Sequence, residues 1–536
     1  MSKSKEWRGR FSSHPAVVGR RRGDPPVIPW ALYLDGIRYT KQAGSGRAQS
    51  LLAFTAYNLL SMKRHLICVI NKRWLCPCGC RAGACTLWSV FWFLRWAVEA
   101  AEAGQRPELQ HDATSPFGEL VGSYLAARFI LVLIKGDWVE YISSLGFPSF
   151  SSIFYPCLFC GATRDSLHEY EDLCLESDAW GVPPDYSAAC SACEIIIRIT
   201  SEAERQMVLV VGGLHYDKRA RGARGRTLQH DVPTLAGVGC GRFLRKGDRL
   251  DPSPSLPDIG RFREMVVPFE CVFWRRSLEG GPNSACTDPV LWRNPLLSLF
   301  TRPIEVLAVD TLHALYLGPG KHFVGHIIWR ALTCNLWPAE GPPSIQHEVR
   351  LRNVLSDIGS WYDRNGIDHS LRIGELTFSM VGSEDRPDFG GKAAESGVLV
   401  RWAADFANKH SAVLREGQHL AVAGGALARV FQILRESPQD IPDATTRALM
   451  GMWRQHLDSL SDADVGYLPK HHTVSHMLRA IPYLGNPKFY STFLDETLNR
   501  VISTIAIHAH PSRWEETIFE RLALYARYHP DAHFSG

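Results

Sequence analysis

The chain has 536 residues, of which 45% are hydrophobic and 21% are charged. Its 59 Lys and Arg residues nearly balance its 55 Asp and Glu residues, which leaves a net charge of +4. This composition excludes a small disulfide-stapled scaffold, a disordered polymer and a histone-like polycation.

The charge-free apolar run from Leu87 to Leu94 is far shorter than the roughly 20 residues of a membrane span, so we expect a soluble protein. Residues 1–24 carry Lys and Arg between Gly, Ser and Pro, which predicts a disordered basic tail. Such a tail is either merely solvated or contacts nucleic acid or an import receptor.

Fourteen cysteines without a secretory signal are typical of reduced thiols and metal ligands. We therefore expect a cytoplasmic or nuclear protein.

Strand-like runs and a helix follow the tail in chain order. Residues 27–40, 50–60, 64–70 and 128–138 are rich in apolar, β-branched and aromatic residues, which is typical of strands. Between the third and fourth runs, TLWSVFWFLRWAVEAAEAG has the length of a helix, with Thr86 as N-cap and Gly104 as stop signal. The predicted fold class is therefore α/β, with a mixed sheet that would be RNase H-like if these elements fold in that order.

Beyond residue 161, loops alternate with predicted helices at 320–336, 392–410, 420–436 and 500–530. This pattern indicates one core interrupted by a large, mostly helical insertion. The predicted regions are the basic tail at 1–24, the first part of the core with a zinc half-site at 25–160, the insertion with a basic loop at 161–460, and a returning helical segment at 461–536.

Two acids, Asp35 and Asp137, each lie at the end of a strand-like run. Carboxylates at neighbouring strand ends can hold a pair of Mg²⁺ ions, which activate water and stabilise a leaving oxygen. Taken singly, Asp35 before Gly36 more often marks a turn, and Asp137 more often belongs to a loop or a helix N-cap.

A possible zinc site lies further along the chain. Cys157 and Cys160 form C-x-x-C, half of a tetrahedral site. In PKHHTVSH, either His471 or His472 could complete it together with His476, although a histidine cluster is also common in packing. A zinc ion between these pairs would bring Glu496, 20 residues after His476, next to the two aspartates. Glu395 is a rival third carboxylate.

These motifs together resemble the DDE transposases of the CACTA and Plavaka-like groups, which are similar in catalytic layout to the catalytic subunit of the V(D)J recombinase. The matching motifs are LYLDG with Asp35, IKGDW with Asp137, PCLFC with Cys157 and Cys160, PKHHTVSH with His471 and His476, and LDETLN with Glu496 and Asn499. Nearly the whole chain also resembles a large multicopy family from unicellular algae, in segments such as YLDGIRYTK and VDTLHALYLGPG.

The resemblance implies Mg²⁺- or Mn²⁺-dependent hydrolysis of a DNA phosphodiester, followed by strand transfer from the freed 3′-hydroxyl. Asp35, Asp137 and Glu496 would be catalytic metal ligands, and a structural Zn²⁺ would be held by Cys157, Cys160, His471 and His476. DNA would be the partner, with a homodimer as the working assembly, a nuclear location, and neither a membrane nor a small-molecule substrate.

One departure concerns the start of the chain, because only 34 residues precede Asp35. We expect the N-terminal DNA-binding domain of such elements to be missing, which fits a truncated, decayed or repurposed copy. The rival hypothesis is a non-catalytic, zinc-containing nucleic-acid-binding protein derived from a transposase. The least favoured is a helical scaffold protein.

Several further motifs have two interpretations each. The basic loop with Lys218, Arg219, Arg221, Arg224 and Arg226 either follows a DNA backbone or is only solvated. The cysteines at 76, 78, 80 and 85 form a zinc knot or a reduced turn, and the C-x-x-C pair at 190 and 193 lacks an obvious partner. Asp310 and His313 form either a helix cap or a site.

Overall fold

The computed structural model of the protein describes residues 11, 14–40, 49–75, 84–111, 121–145, 157–160, 162, 271–275, 288–292, 294–300, 306–510, 513–529 and 534–535. The chain divides into two compact units. Among the described residues, the sheet unit contains those before residue 309 and those after 493, and the helical unit contains residues 309–493.

The elements are numbered in chain order. The strands are Val27–Arg38 (β1), Ser50–Asn58 (β2), Arg64–Asn71 (β3), Arg128–Gly136 (β4), Cys271–Arg275 (β5), Asp288–Trp292 (β6), Leu307–Val309 (β7), Gly382–Ser383 (β8), Arg386–Pro387 (β9) and Phe534–Ser535 (β10). The α-helices are Pro15–Val18 (α1), Ala84–Ala103 (α2), Trp138–Ser143 (α3), Lys321–Thr333 (α4), Pro343–Arg364 (α5), Phe378–Val381 (α6), Ala393–Lys409 (α7), Gly417–Glu436 (α8), Asp443–Asp462 (α9), Pro469–Arg479 (α10), Ile481–Leu484 (α11), Phe493–His508 (α12) and Trp514–Tyr528 (α13).

The sheet unit is built on a mixed sheet with the strand order β10-β3-β2-β1-β4-β7. β1, β2 and β3 form an antiparallel meander, and β4 pairs parallel to β1. The parallel pairing of β1 with β4 ends at Tyr33 and Lys135. Asp35 and Asp137 both lie two residues beyond that pair, so the register brings them to the same edge of the sheet.

Helices cover both faces of this sheet. Because side chains alternate along a strand, Leu52 and Phe54 of β2 face the core under α2, whereas Leu51 and Ala53 face the core under α12 and α13. Phe54 makes an edge-on contact with Phe91 of α2, with ring centroids 5.9 Å apart. Each large apolar side chain buried in this way contributes about 1.5–3 kcal/mol. The coarse prediction of a mixed α/β fold is confirmed.

The helical unit begins with a wide helical segment, Leu312–Gly320, that continues into α4. α7 packs against α4 and α8, α9 packs against α8, and α10 packs against α9 and the wide segment. Among the described residues, no helix combines the length and apolarity that a membrane crossing requires.

Three local expectations need correction. α2 begins at Ala84, so Thr86 lies inside the helix instead of capping it. The helix predicted over 500–530 is two helices, α12 and α13. Asp35 lies inside β1, because this strand continues to Arg38 by pairing with β2 after its pairing with β4 has ended.

Candidate functional site

Asp35 is the centre of a small hydrogen-bond network on β1. Its Oδ2 accepts hydrogen bonds from the Tyr33 hydroxyl at 2.7 Å and from Nδ2 of Asn499 at 2.6 Å. Its Oδ1 accepts the backbone N–H of Gly36 at 2.6 Å. Since Asn499 lies on α12, this network joins the last part of the chain to the first strand of the sheet.

Asp35 is also a carboxylate in an unfavourable electrostatic environment. Burial raises its pKa to about 6, and the charges of Asp137 and Glu140 act in the same direction, against the hydrogen bond from Tyr33. All three of its hydrogen-bond donors are neutral groups. A cation at this position would relieve the repulsion.

Asp137 has two roles in the structure. It is the N-cap of α3, because its Oδ1 accepts the backbone N–H of Glu140 at 2.7 Å. Its charge also acts on Asp35. The N-cap alternative considered from the sequence is therefore correct as to its local geometry, and it is compatible with a place beside Asp35.

Glu496 lies in the first turn of α12, one helical turn before Asn499. Burial raises the pKa of the Tyr33 hydroxyl well above its usual range, and the charges of Asp35, Asp495 and Glu496 add to this effect. The three predicted acids all belong to the sheet unit, where Tyr33 bonds Asp35 and its hydroxyl is affected by the charge of Glu496.

The residue before Glu496 anchors the helix. Asp495 is fully buried, and its two oxygens accept hydrogen bonds from Nε of Arg64 and Nζ of Lys135, both at 2.6 Å. Lys135 also lies over the ring of Tyr57, 4.4 Å from its centroid. Sequence reasoning missed this ionic triad, because its members are separated by 360 and 431 residues and no short motif marks them.

A second group of side chains has a composition suited to a metal ion. One ligand atom from each of Cys157, Cys160, His472 and His476 lies within 4.8 Å of the other three, and the group is buried. Within the described ranges, this is the one set of three or more Cys, His, Asp or Glu side chains with spacing suited to a shared ion. Two thiols and two imidazoles are the donor set of a structural zinc site.

The local geometry of the C-x-x-C half fits a thiolate pair. The backbone N–H of Phe159 donates to Cys157 Sγ at 3.2 Å, and that of Ala162 donates to Cys160 Sγ at 3.4 Å. Hydrogen bonds of this kind stabilise metal-bound thiolates. Burial raises the pKa of the Cys157 thiol, so a charge-neutralising metal would favour its ionised form. The predicted zinc half-site is thus part of a group that could hold a metal such as zinc.

The histidine pair in this group is His472 with His476, in place of the expected His471. Nε2 of His472 and Nε2 of His476 are 3.0 Å apart, because residues four apart share one face of α10. His471 instead accepts the backbone N–H of Leu468 through Nδ1 and stacks on Trp453. Its spacing of five residues from His476 turns it toward another face of the helix.

The remaining predicted residues have structural surroundings or lie outside the described ranges. Glu395 caps its own helix, α7, where it accepts the backbone N–H of Lys392 at 2.8 Å. Asp310 accepts the backbone N–H of Thr492 and Nδ1–H of His313, at 2.9 and 2.6 Å. The basic loop at 218–226 and the cysteines at 76, 78, 80, 190 and 193 lie outside the described residues.

Two residues beside Gly36, Glu140 and Lys72, were not singled out from the sequence. Glu140 is buried on α3, and its Oε1 lies 3.3 Å from Nζ of Lys72. The D-x-x-E spacing of Asp137 and Glu140 at a helix start was the available signal for Glu140.

The chain matches neither a protein-family model nor a curated protein.

Proposed function

We propose that this protein is a DDE-type transposase, or a protein derived from one, that hydrolyses DNA phosphodiesters and transfers strands with two metal ions. The observation that carries the proposal is the environment of Asp35. Its hydrogen-bond donors are neutral, and the charges of Asp137 and Glu140 raise its pKa. A divalent cation stabilises the ionised form of such a carboxylate, because it offsets both the cost of burying the charge and the repulsion from the neighbouring acids.

The position of these acids supports the same function. Asp35 and Asp137 share the edge of two adjacent parallel strands, and α12 carries Glu496 while Asn499 of that helix bonds Asp35. In the proposed reaction these three residues would hold Mg²⁺ or Mn²⁺, which supplies Lewis-acid stabilisation of the charge that develops at phosphorus. Tyr33 and Asn499 would hold the Asp35 carboxylate in its orientation.

The other parts of the proposal follow the resemblance of the motifs. The mixed sheet would be an RNase H-like core, and Cys157, Cys160, His472 and His476 would hold a structural Zn²⁺. The ligand count supports a structural role, since four protein ligands leave no open position for chemistry. DNA would be the partner, a homodimer the working assembly and the nucleus the location.

The test is a nicking assay with supercoiled plasmid DNA and Mg²⁺ or Mn²⁺. We expect Asp137→Asn to lower the nicking rate by at least about 1,000-fold, because it removes charge needed to hold the ions. Glu496→Gln should have a similar effect. Glu395→Gln is the matched control, since Glu395 caps α7, and it should keep the wild-type rate. Nicking that survives Asp137→Asn would refute the proposal.

The second candidate is a non-catalytic, zinc-containing nucleic-acid-binding protein derived from a transposase. One observation favours it: within the described part of the chain, the Cys and His side chains form the group with metal-compatible spacing, and the acids form none. This candidate predicts DNA binding that weakens with salt and is accompanied by no acid-dependent nicking.

A further inference from the structure

Lys72 is held at a defined place beside the acidic residues. It follows β3 directly and begins a short 3₁₀ turn, Lys72–Trp74, whose N-cap is Asn71. Asn71 accepts the backbone N–H of Arg73 at 3.1 Å and donates to the Tyr39 hydroxyl at 2.8 Å. These bonds fix the backbone from which the lysine side chain extends.

The side chain of Lys72 passes over Gly36, the residue after Asp35. A Cβ atom on Gly36 would collide with Nζ of Lys72 and with Oε1 of Glu140. Glycine at position 36 therefore leaves the room that the Lys72–Glu140 pair occupies next to Asp35. The second oxygen of Glu140 accepts from the hydroxyl of Ser144 at 2.5 Å, so Glu140 stays hydrogen-bonded with or without the lysine.

The ammonium group of Lys72 has more N–H donors than the described residues use. A lysine ammonium carries three N–H donors, and among the described residues Glu140, with its oxygen 3.3 Å away, is the partner of this one. The side chain of Lys72 is 33% exposed. Glu140, by contrast, is only 4% exposed, so loss of the lysine should lower stability modestly. The hydrogen bond from Ser144 keeps the carboxylate of Glu140 in place without it.

A polyanion that approaches Asp35 meets several carboxylates. Arg64 and Lys135 do not offset them for a ligand, because both cations are buried and hydrogen-bonded to Asp495. Lys72 differs from them in being accessible while lying beside Gly36 and Glu140. A point charge with unused donors at this position suits a phosphate oxygen.

We propose that Lys72 binds a non-bridging oxygen of the DNA phosphodiester that is cleaved at the acidic site, and that Glu140 holds the ammonium in place for it. The inference rests on the proposed nuclease function. It assigns Lys72 a direct contact with the substrate and Glu140 a positioning role.

The experiment measures nicking of supercoiled plasmid DNA by the full chain in Mn²⁺, with DNA affinity measured separately in Ca²⁺. We expect Lys72→Met to lower the nicking rate at saturating DNA by about 100-fold, because the contact strengthens as charge develops on the phosphate oxygens. Its DNA affinity should stay close to wild type, and its melting temperature should fall only modestly, because Ser144 still bonds Glu140. Lys72→Arg should recover part of the rate, and Glu140→Gln should give an intermediate loss.

Lys321→Met is the matched control. Lys321 pairs with the exposed Asp388 at 3.2 Å in the helical unit, so the variant removes the same charge and an ion pair of similar length. It should nick at the wild-type rate. A Lys72→Met rate equal to wild type, alongside an inactive Asp137→Asn, would overturn the inference and leave the proposed function standing. A wild-type protein that does not nick, or nicking that survives Asp137→Asn, would overturn both.

Discussion

Two aspartates of the sheet unit, Asp495 of α12 and Asp35 of β1, differ in the groups that bond their carboxylates. Asp495 is fully buried and bonded by two cations, Arg64 and Lys135, each at 2.6 Å. Asp35 is bonded by Tyr33, Gly36 and Asn499, all neutral. The first arrangement is complete within the protein, whereas the second leaves negative charge for a cation from outside.

This difference is the one we expect between a residue that stabilises the fold and a residue that binds a cation. A buried charge with its counter-ions in place stabilises one conformation, and removal of either side leaves the other uncompensated. A carboxylate with a raised pKa and like-charged neighbours is typical of functional sites. The comparison therefore predicts a large loss of stability for Asp495→Asn and a much smaller one for Asp35→Asn.

The largest expected effect concerns the Cys and His group, whose thiolates also depend on a cation from outside. Purified protein should contain about one zinc per chain, and Cys157→Ser should reduce this to near zero, because a missing thiolate ligand breaks the tetrahedral set. The measurement is metal analysis by mass spectrometry after dialysis. Cys68→Ser, at a half-buried cysteine of β3 outside the group, is the control and should retain the zinc. Equal zinc contents in the two variants would refute the assignment of a zinc site to this group.

The next effect tests the comparison itself. Asp495→Asn should lower the free energy of unfolding by about 3–5 kcal/mol, because it leaves Arg64 and Lys135 buried without their counter-ion. Asp35→Asn should cost far less, since it relieves the repulsion from Asp137 and Glu140. Urea denaturation of both variants measures the difference. Similar losses at the two positions would show that Asp35 is as much a part of the fold as Asp495.

A third buried ionisable group sharpens the comparison by remaining neutral. Burial lowers the pKa of His456 to about 4, the charge of His322 acts in the same direction, and its Nδ1–H bond to the Ala423 carbonyl acts against both. Below pH 6.5 the unfolded chain therefore binds more protons than the folded one. Stability should fall as the pH drops from 6.5 to 4, by up to about 3 kcal/mol.

The measurement is urea denaturation across this range of pH, at constant ionic strength. His456→Gln keeps a donor for the Ala423 carbonyl but cannot be protonated, so its stability should depend less on pH over the same interval. An unchanged acid sensitivity in this variant would place the titrating group elsewhere in the protein.

The sequence was sufficient for those parts of the molecule that depend on local pattern. β1 to β4 and α2 were predicted in the correct order, because apolar periodicity and turn residues determine them over short distances. The location of Asp35 and Asp137 at one edge of the sheet was predictable for the same reason, since each could be placed relative to a strand. The start of α2 was missed because Thr86 looks like a cap although the helix already begins at Ala84.

Contacts between distant segments could not be predicted from one sequence. Nothing near Asp495 indicates that Arg64 and Lys135 are its partners, and nothing near Gly36 indicates that Lys72 lies over it. The choice between His471 and His472 was open in the motif, although the helical spacing of four residues favours His472. Long-range packing decides such cases.

The docking of α12 also has a consequence for the order in which the protein can fold. Lys135 and its counter-ion Asp495 are separated by 360 residues, so a ribosome adding about 5–20 residues per second makes the lysine about 20–70 s before the aspartate. Over that time the sheet face formed by Leu51, Ala53 and Leu66 lacks α12 and α13. Until α12 and α13 are made, the nascent chain therefore presents an apolar surface and an uncompensated cation.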